Sequence, residues 1–420
     1  MVLDLVKNKF MSSLNYVKTF LKWGIIAVIV GLVGGAVGSA FHKSVDFVTE
    51  VRTENSWLIF LLPFGGLAIV TLYKICRMNS RIGTNRVIES VRTDKKVPIL
   101  MAPLIFVSTV ITHLLGGSAG REGAALQLGG SIGYQFGRLF RLDEKDMHLI
   151  VMLGMSGVFA ALFGTPLTAT FFALEVISVG IIYYAGLVPC IISSLVAYEV
   201  ALFFKITPVH FDYVAFQPMS LVVLVKAVIL AVMCAVVSII FCTLIKKSVF
   251  YSEKYIPNNY IRALIGGVVV VLLTLIFRTH DYNGAGMDVI SRAMAGNARP
   301  EAFILKIIFT IVTISAGFKG GEIVPTFFIG STFGCVVGSL LGLNPGFGAA
   351  IGFVALFCGV VNCPFASIML ALEVFGSDAI LIFAAVCGVS YMMSGYYGLY
   401  SSQKIMYSKL EAKFININTK

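Results

Sequence analysis

The 420-residue sequence predicts an all-α polytopic membrane protein, and three observations carry the prediction. Hydrophobic residues make up 58% of the chain and charged residues 13%, with a mean hydropathy of +0.92, outside the usual range of soluble domains. Apolar runs of about bilayer length recur at Leu21–Phe41, Ile59–Ile75, Ile99–Leu115, Leu221–Leu244 and Ala379–Met393. Hydrocarbon offers no partner to backbone N–H and C=O groups, so such runs must be helical. The net charge of +11 sits mainly between and beside these runs, as basic cytoplasmic flanks would place it, which argues against a nucleic-acid partner.

In chain order, residues 1–22 mix Lys7, Lys9, Lys18 and Lys22 with Leu3, Leu5, Phe10, Leu14 and Phe20. That mix predicts an amphipathic helix at the cytoplasmic surface ahead of the first span. The loop Lys74–Lys96 carries Lys74, Arg77, Arg81, Arg86, Arg92, Lys95 and Lys96, which assigns it to the cytoplasm as well. Beyond Tyr407 the sequence turns polar, and 408–420 reads as a short cytoplasmic tail without a regulatory domain. The eight cysteines lie mostly in apolar sequence without CxxC pairing and read as small core residues, neither disulfides nor a metal site.

The interior divides into two related parts, 23–205 and 206–407. The segments Leu162–Val176 and Val360–Val374 each place a Pro eight residues before Leu-Glu-Val. Upstream, Ser118-Ala119-Gly120, Glu122 and Gly130-Ser131 match Ser315-Ala316-Gly317, Glu322 and Gly330-Ser331 in the same order. Such repeats point to a transporter or channel whose substrate site lies between two halves near mid-membrane. The residues alone leave open whether the halves are inverted.

The glycine-rich runs Gly116–Gly133 and Gly317–Gly334 cannot face lipid, because Arg121, Glu122 and Glu322 would be charged in hydrocarbon. They must line a cavity or lie inside protein. Gly120 and Gly123 allow close backbone approach, and a helix beginning near Glu122 would aim free N–H groups and its positive end at an anion. The run Gly317–Gly330 repeats the arrangement, with Pro325 suited to a first helical turn. A carboxylate such as Glu122 can occupy an anion site when charged and leave it when protonated, which makes it a gate tied to a proton. The competing role for Glu122 is an ion pair with Arg121 or Lys319, and for Glu322 one with Lys319. Glu175 and Glu373 read as helix-end residues of an interfacial zone, outside the pathway.

GREG at Gly120–Gly123, the GTPLTATFFALEV block, GGEIVP at Gly320–Pro325 and GLYSS at Gly398–Ser402 together resemble the CLC family of anion channels and anion/proton antiporters. The resemblance runs from about Leu21 to Ser402. It implies a bundle of inverted repeats with broken helices, a homodimer with one pore per subunit, Glu122 as the external gating glutamate and Tyr400 as the inner tyrosine facing the anion. The chain departs from the chloride-type pattern at four places. Ile82, or Thr84 on a shifted alignment, stands where a serine ligand is usual; Gly321-Glu322-Ile323 replaces the usual Gly-x-Phe; Ala124 replaces Pro; and Val176 replaces the internal proton-transfer glutamate. These departures resemble the fluoride-exporting branch, except that Val324 stands where that branch has Thr. The resemblance implies an anion path through Ile82, Gly83, Thr84, Gly120, Arg121, Gly123, Gly321, Ile323, Val324 and Tyr400, with Glu322 in proton coupling.

The expected function is therefore export of cytoplasmic fluoride against inward protons across a bacterial inner membrane, with a chloride/proton exchanger or passive chloride channel as the alternative. Fluoride, protons, lipid and a second copy of the chain are the expected partners, with chloride as the alternative anion and no nucleic acid. No cofactor or metal is expected. An intramembrane enzyme would need paired catalytic groups, yet the five histidines form no HExxH and lie apart.

Overall fold

The computed structural model describes residues 2–80, 82–93, 95–211 and 214–420, with side chains described from residue 14 onward. The first half holds α1 (Val2–Glu54), α2 (Leu62–Ile75), α3 (Thr84–Ser90), α4 (Met101–Leu114), α5 (Glu122–Leu139), α6 (Glu144–Phe163), α7 (Pro166–Glu175) and α8 (Leu187–Phe203). The second holds α9 (Leu221–Tyr255), α10 (Asn259–Phe277), α11 (Met287–Met294), α12 (Ala302–Ser315), α13 (Ile323–Leu340), α14 (Pro345–Val361), α15 (Pro364–Phe375) and α16 (Ile380–Met393). Strands β1 (Ser178–Val179), β2 (Lys404–Tyr407) and β3 (Phe414–Asn418) form one small sheet in that order, parallel between β1 and β2 and antiparallel between β2 and β3.

Several sequence expectations change. The backbone is one helix from Val2 to Glu54, so no break separates a surface helix over 1–22 from the first span. The proposed amphipathic face at Leu3, Leu5, Lys7, Lys9 and Phe10, and the basic residue Arg81, lie outside the described side chains. The run Ile99–Leu115 folds as the 14-residue α4 and the run Ala379–Met393 as the 14-residue α16. At 1.5 Å per residue each is about 21 Å long, too short for a full span. The segment 408–420 is more than a tail, because β3 doubles back on β2 to make a hairpin.

The two halves are inverted, and two reciprocal contacts show it. Gly120 and Gly321 form an antiparallel bridge, each N–H donating to the other's carbonyl at 2.6 Å. The Glu175 carboxylate, at the C-terminal end of α7, accepts from Phe365 N (3.2 Å) and Ala366 N (2.8 Å) at the start of α15. Glu373, near the end of α15, accepts from Leu167 N and Thr168 N, both at 2.8 Å, at the start of α7. Each helix thus caps its equivalent, which only an antiparallel pair can do. These glutamates, Glu175 buried and Glu373 half-buried, are end residues as expected but serve as caps, because the orphan N–H groups of two Pro-initiated helices need acceptors.

The bridge also corrects the repeat register. Gly116 pairs with Gly317, Gly120 with Gly321, Gly129 with Gly330 and Gly133 with Gly334, so Arg121 stands opposite Glu322 and Glu122 opposite Ile323. The glycines explain the register physically. A Cβ at Gly129 would run into the Gly154 carbonyl of α6, and one at Gly330 into the Gly352 carbonyl of α14. Both helix pairs therefore pack backbone to backbone, as small residues permit in membranes. Gly330→Ala is expected to destabilise the protein by about 1–3 kcal/mol through overpacking. Gly24→Ala, where nothing lies within 4 Å of the added methyl, should be neutral or stabilising by up to about 1 kcal/mol. Thermal unfolding of the two purified variants checks the contrast.

The hairpin docks through Lys409, whose ammonium donates to Asn362 Oδ1 (2.5 Å), Tyr391 O (2.8 Å) and Ser394 Oγ (3.1 Å). Burial pulls this lysine, which lies outside the spanning helices, down to about 7. A free lysine keeps its proton to roughly pH 10. Undocking therefore takes up a proton between these values, so docking strengthens as pH rises through that window and is insensitive to pH below it. Lys409→Met is expected to flatten the rise in melting temperature between about pH 7 and 10.

Candidate functional site

The site is made where two helices stop and two others start. Helices α4 and α12 both end in a turn closed by a glycine in the left-handed region, Gly116 (φ +84°) and Gly317 (φ +96°). Only glycine takes that conformation without strain, and it reverses the chain so that the next helix begins inside the molecule. In the first half α5 begins at Glu122, and in the second α13 begins at Ile323 with Pro325 in its first turn. The Gly120–Gly321 bridge then holds the two N-termini face to face.

Glu122 is almost fully buried, at 1% exposure. Its Oε2 accepts from Arg121 N at 3.0 Å, and the N–H groups of Glu122 itself and of Val324 also serve the carboxylate. Oε2 lies 2.6 Å from the place a Gly120 Cβ would take, with Val324 Cβ 3.0 Å from that same point. The carboxylate thus sits on Gly120, against the first turn of α13. Glu322 mirrors it, for its Oε2 lies 3.6 Å from the place of a Gly123 Cβ, in the first turn of α5. Each glutamate is held near the start of the other half's helix, where backbone dipoles favour negative charge.

Two cavities approach these carboxylates from opposite ends. One, of about 630 Å³, lies at the C-terminal end of α1 and includes Asp46, Arg52, His113 and Arg121. The other, of about 360 Å³, lies on the side of the Lys74–Lys96 loop and includes Ile82, Gly83, Thr84, Glu322 and Tyr400. Glu122 lines neither, while its neighbour Arg121 lines the first and Glu322 the second. Tyr400 is 3% exposed, and among the described residues its hydroxyl has no hydrogen-bond partner. A buried phenol left in this state is a donor available to an ion entering the cavity.

The structure gathers most of the sequence-predicted residues but assigns some of them other work. The N–H groups of Gly120 and Gly321 are committed to each other and are not free donors, because the bridge uses both. The Arg121 guanidinium pairs with Asp46 at 2.5 Å, while its Nε stays 4.0 Å from Glu122 Oε1, so its backbone N–H serves the glutamate more closely than its charge. Lys319 donates to the Ser80 carbonyl and lies over the Tyr73 ring at 4.9 Å. The Thr84 hydroxyl is engaged by Gln127 Nε2 (3.1 Å) and faces the Gly123 carbonyl (3.3 Å), which ties the start of α3 to α5. Ile323 and Val324 are buried in the first turn of α13, and Val176 is buried at the end of α7.

Sequence reasoning missed Asp46, His113 and Gln127. His113 is fully buried, its Nε2 3.3 Å from the Gly120 carbonyl and its own carbonyl taken by Arg52. A histidine seven residues before the bridge glycine, in an apolar run, was the available signal. The phenylalanines, by contrast, mainly stack on one another in the core, as Phe327 does on Phe353 at 4.1 Å between centroids.

Broken helices meeting nose to nose between inverted halves, with carboxylates on their N-termini and a cavity on either side, define a membrane protein that handles anions. The chain belongs to the voltage gated chloride channel family, the CLC family, whose model matches residues 64–395. It is 34% identical over 395 residues to the chloride/fluoride channel protein of Pseudomonas syringae pv. tomato, covering 92% of this chain and 87% of that protein. It is 26% identical to the H(+)/Cl(-) exchange transporter ClcA of Vibrio campbellii, covering 83% and 81%. Among solved structures it resembles a CLC-type fluoride/proton antiporter with a TM-score of 0.88 and 32% identity, covering 91% of this chain and 98% of that one. It shares the fold of a slow cyanobacterial Cl-/H+ antiporter with a TM-score of 0.76 at 18% identity. The family is one of transporters and channels, not enzymes.

A methyl group at Gly321 would meet the Glu122 amide nitrogen at 3.1 Å and crowd Gly123 still more closely. Gly321→Ala is therefore expected to part the two N-termini and lower ion flux on the order of a hundredfold, as misplacement by about 1 Å does at other preorganised sites. Flux from reconstituted vesicles, normalised to incorporated protein, gives the answer.

Proposed function

We propose that this protein is a fluoride/proton antiporter that exports cytoplasmic fluoride with the inward proton gradient. The observation that carries the reading is the Glu122 carboxylate itself, buried at the start of α5 and against the first turn of α13. It occupies the place that the N–H groups make for an anion. Protonation removes its charge and its claim on those donors, so the glutamate leaves and an anion takes the place. Glu322, on the other side of the bridge and facing the Tyr400 cavity, supplies the second proton-carrying group. With Val176 in the position of the inner glutamate, that role has no other carboxylate there.

Fluoride is small, firmly hydrated and a strong acceptor, so a site for it needs closely set donors. The first turns of α5 and α13, with Gly123, Ile323 and Val324, and the inner wall of Ile82, Gly83, Thr84 and Tyr400 are the residues we assign to its path. Arg121 contributes its backbone N–H. The positive-inside pattern of the Lys74–Lys96 loop makes the Tyr400 cavity cytoplasmic and the Arg121 cavity external. We assign the protein to the bacterial inner membrane as a homodimer with one pathway in each subunit, the two repeats being 23–205 and 206–407. The runner-up is chloride exchange or a chloride channel, as the name of the ClcA exchanger has it for that protein.

Vesicles loaded with fluoride or chloride, followed by ion electrode and external pH, separate the two. Fluoride release with proton uptake and little chloride flux is the expected result; equal chloride flux would transfer the chain to the runner-up. Glu122→Gln is expected to abolish coupled export and Glu322→Gln to impair coupling. Unchanged proton-coupled transport in the first variant would remove the gate, and unchanged stoichiometry in the second would return Glu322 to a structural role.

A further inference from the structure

We propose that Thr419, at the end of the β2–β3 hairpin, is a positioning residue for Tyr400, and that the hairpin is a clasp holding the inner wall of the ion path in register. The hydrogen bonds around Tyr400 carry the inference. Thr419 Oγ1 donates to the Tyr400 carbonyl at 2.5 Å, and Thr419 N donates to the Gln403 carbonyl at 3.1 Å. Gln403 N closes a turn onto the same Tyr400 carbonyl at 2.9 Å. The short segment from Tyr400 to Gln403 is therefore stapled from one side by a single residue.

Its other side is tied to the helices. Leu399 N donates to Val360 O at 3.0 Å, and Ser402 N donates to Asn85 Oδ1 at 3.0 Å. The Ser402 hydroxyl donates to Glu89 Oε1 at 3.1 Å. Asn85 and Glu89 belong to α3, which starts at Thr84 in the same cavity wall. The two faces of the cavity are thus one hydrogen-bonded unit, and the hairpin closes it.

A phenol whose hydroxyl has no protein partner is aimed only by its backbone and its packing. Tyr400 is in this state, so the direction in which its hydroxyl points depends on what fixes its carbonyl. The apolar packing of the hairpin is concentrated at Ile405, which is fully buried, while Leu410 and Phe414 are exposed at 73% and 55%. Its remaining hold is polar, from the Thr419 bonds, from Lys409 on Asn362, Tyr391 and Ser394, from Lys420 N on the Tyr396 carbonyl (2.8 Å) and from Ser408 on Tyr396 (2.8 Å), together with the pairing of β1 and β2. Polar bonds of this kind are worth little singly and can be lost one at a time, which suits a clasp more than a core element.

The test rests on the reading of Tyr400 as an ion-facing residue, and it uses Thr419→Val, Thr419→Ser, Tyr400→Phe and the Tyr400→Phe/Thr419→Val pair in the full chain. Thr419→Val is expected to slow fluoride efflux about tenfold, Thr419→Ser to restore it, and the valine change to cost less than about twofold once Tyr400 is Phe. A loss of the same size in both backgrounds would mean that Thr419 acts elsewhere and overturns the proposal, as would undiminished efflux in Thr419→Val. Hydrogen exchange reads the clasp without transport: the amides of Leu399, Ser402 and Gln403 should exchange faster in Thr419→Val and at the parental rate in Thr419→Ser. Unchanged exchange in the valine variant refutes the clasp. Should the parent protein move no fluoride, the proposed function fails while the exchange data still decide this inference.

Discussion

Two carboxylates and a passing anion must be held inside a membrane protein where the nearby cations, Arg121 and Lys319, are engaged by other partners as well, and the pair of backbone hydrogen bonds between Gly120 and Gly321 is what allows this. Each bond closes an amide that would otherwise be stranded in a region poor in water. Together they bring two helix N-termini to one place, and those termini add their positive field to that of Arg121 and Lys319. The rest of the fold serves that junction. Left-handed glycines stop α4 and α12 in time, glycine contacts draw α5 onto α6 and α13 onto α14, and the crossed caps of Glu175 and Glu373 fasten α7 to α15.

Backbone N–H groups placed beside cations that other partners share have a consequence for function. A lysine or arginine paired with Glu122 alone would hold the carboxylate in place by a contact that an incoming anion shares only with difficulty, whereas backbone N–H groups at a helix start accept either occupant. Arg121 divides its guanidinium, with the shorter contact to Asp46 (2.5 Å) and the longer to Glu122 (4.0 Å). Lys319 is engaged by the Ser80 carbonyl and the face of Tyr73. The glutamate is thus left to compete with an incoming anion for the same donors, which is the property an exchange cycle requires.

The fold class and the position of the site were legible because both rest on local patterns. Apolar run length declares helices, and glycine beside glutamate in an apolar context declares a buried polar site. Glu122 and Glu322 were found this way, and the structure brings them to the two sides of one bridge. Their expected equivalence was misread, because the Ser-Ala-Gly triplets invite an alignment that differs from the one the bridge imposes. Run length misled at α4 and α16, since hydropathy reports that a segment is buried and not whether lipid or protein covers it. The continuous α1 and the hairpin after β2 left little local signal, one because amphipathic and spanning helices share the same backbone, the other because the groups that fasten it, such as Asn362 and Tyr391, are distant in sequence.

What the sequence by itself determined is the solvent and the chemistry: a membrane protein of two related parts, with glycine-hinged helix starts and glutamates placed to meet an anion. Composition and spacing suffice for this, because helix formation in lipid is a local response to hydrocarbon and a glycine's conformational freedom belongs to the residue. What only the tertiary structure decided is which groups remain free to act. The Gly120 and Gly321 amides are spent on each other, the Arg121 charge on Asp46 and the Thr84 hydroxyl on Gln127 and Gly123, while the Tyr400 hydroxyl is left over. Each of these outcomes joins residues tens to hundreds of positions apart. A hydrogen bond depends on atoms within about 3 Å in space, and only the folded chain sets that separation.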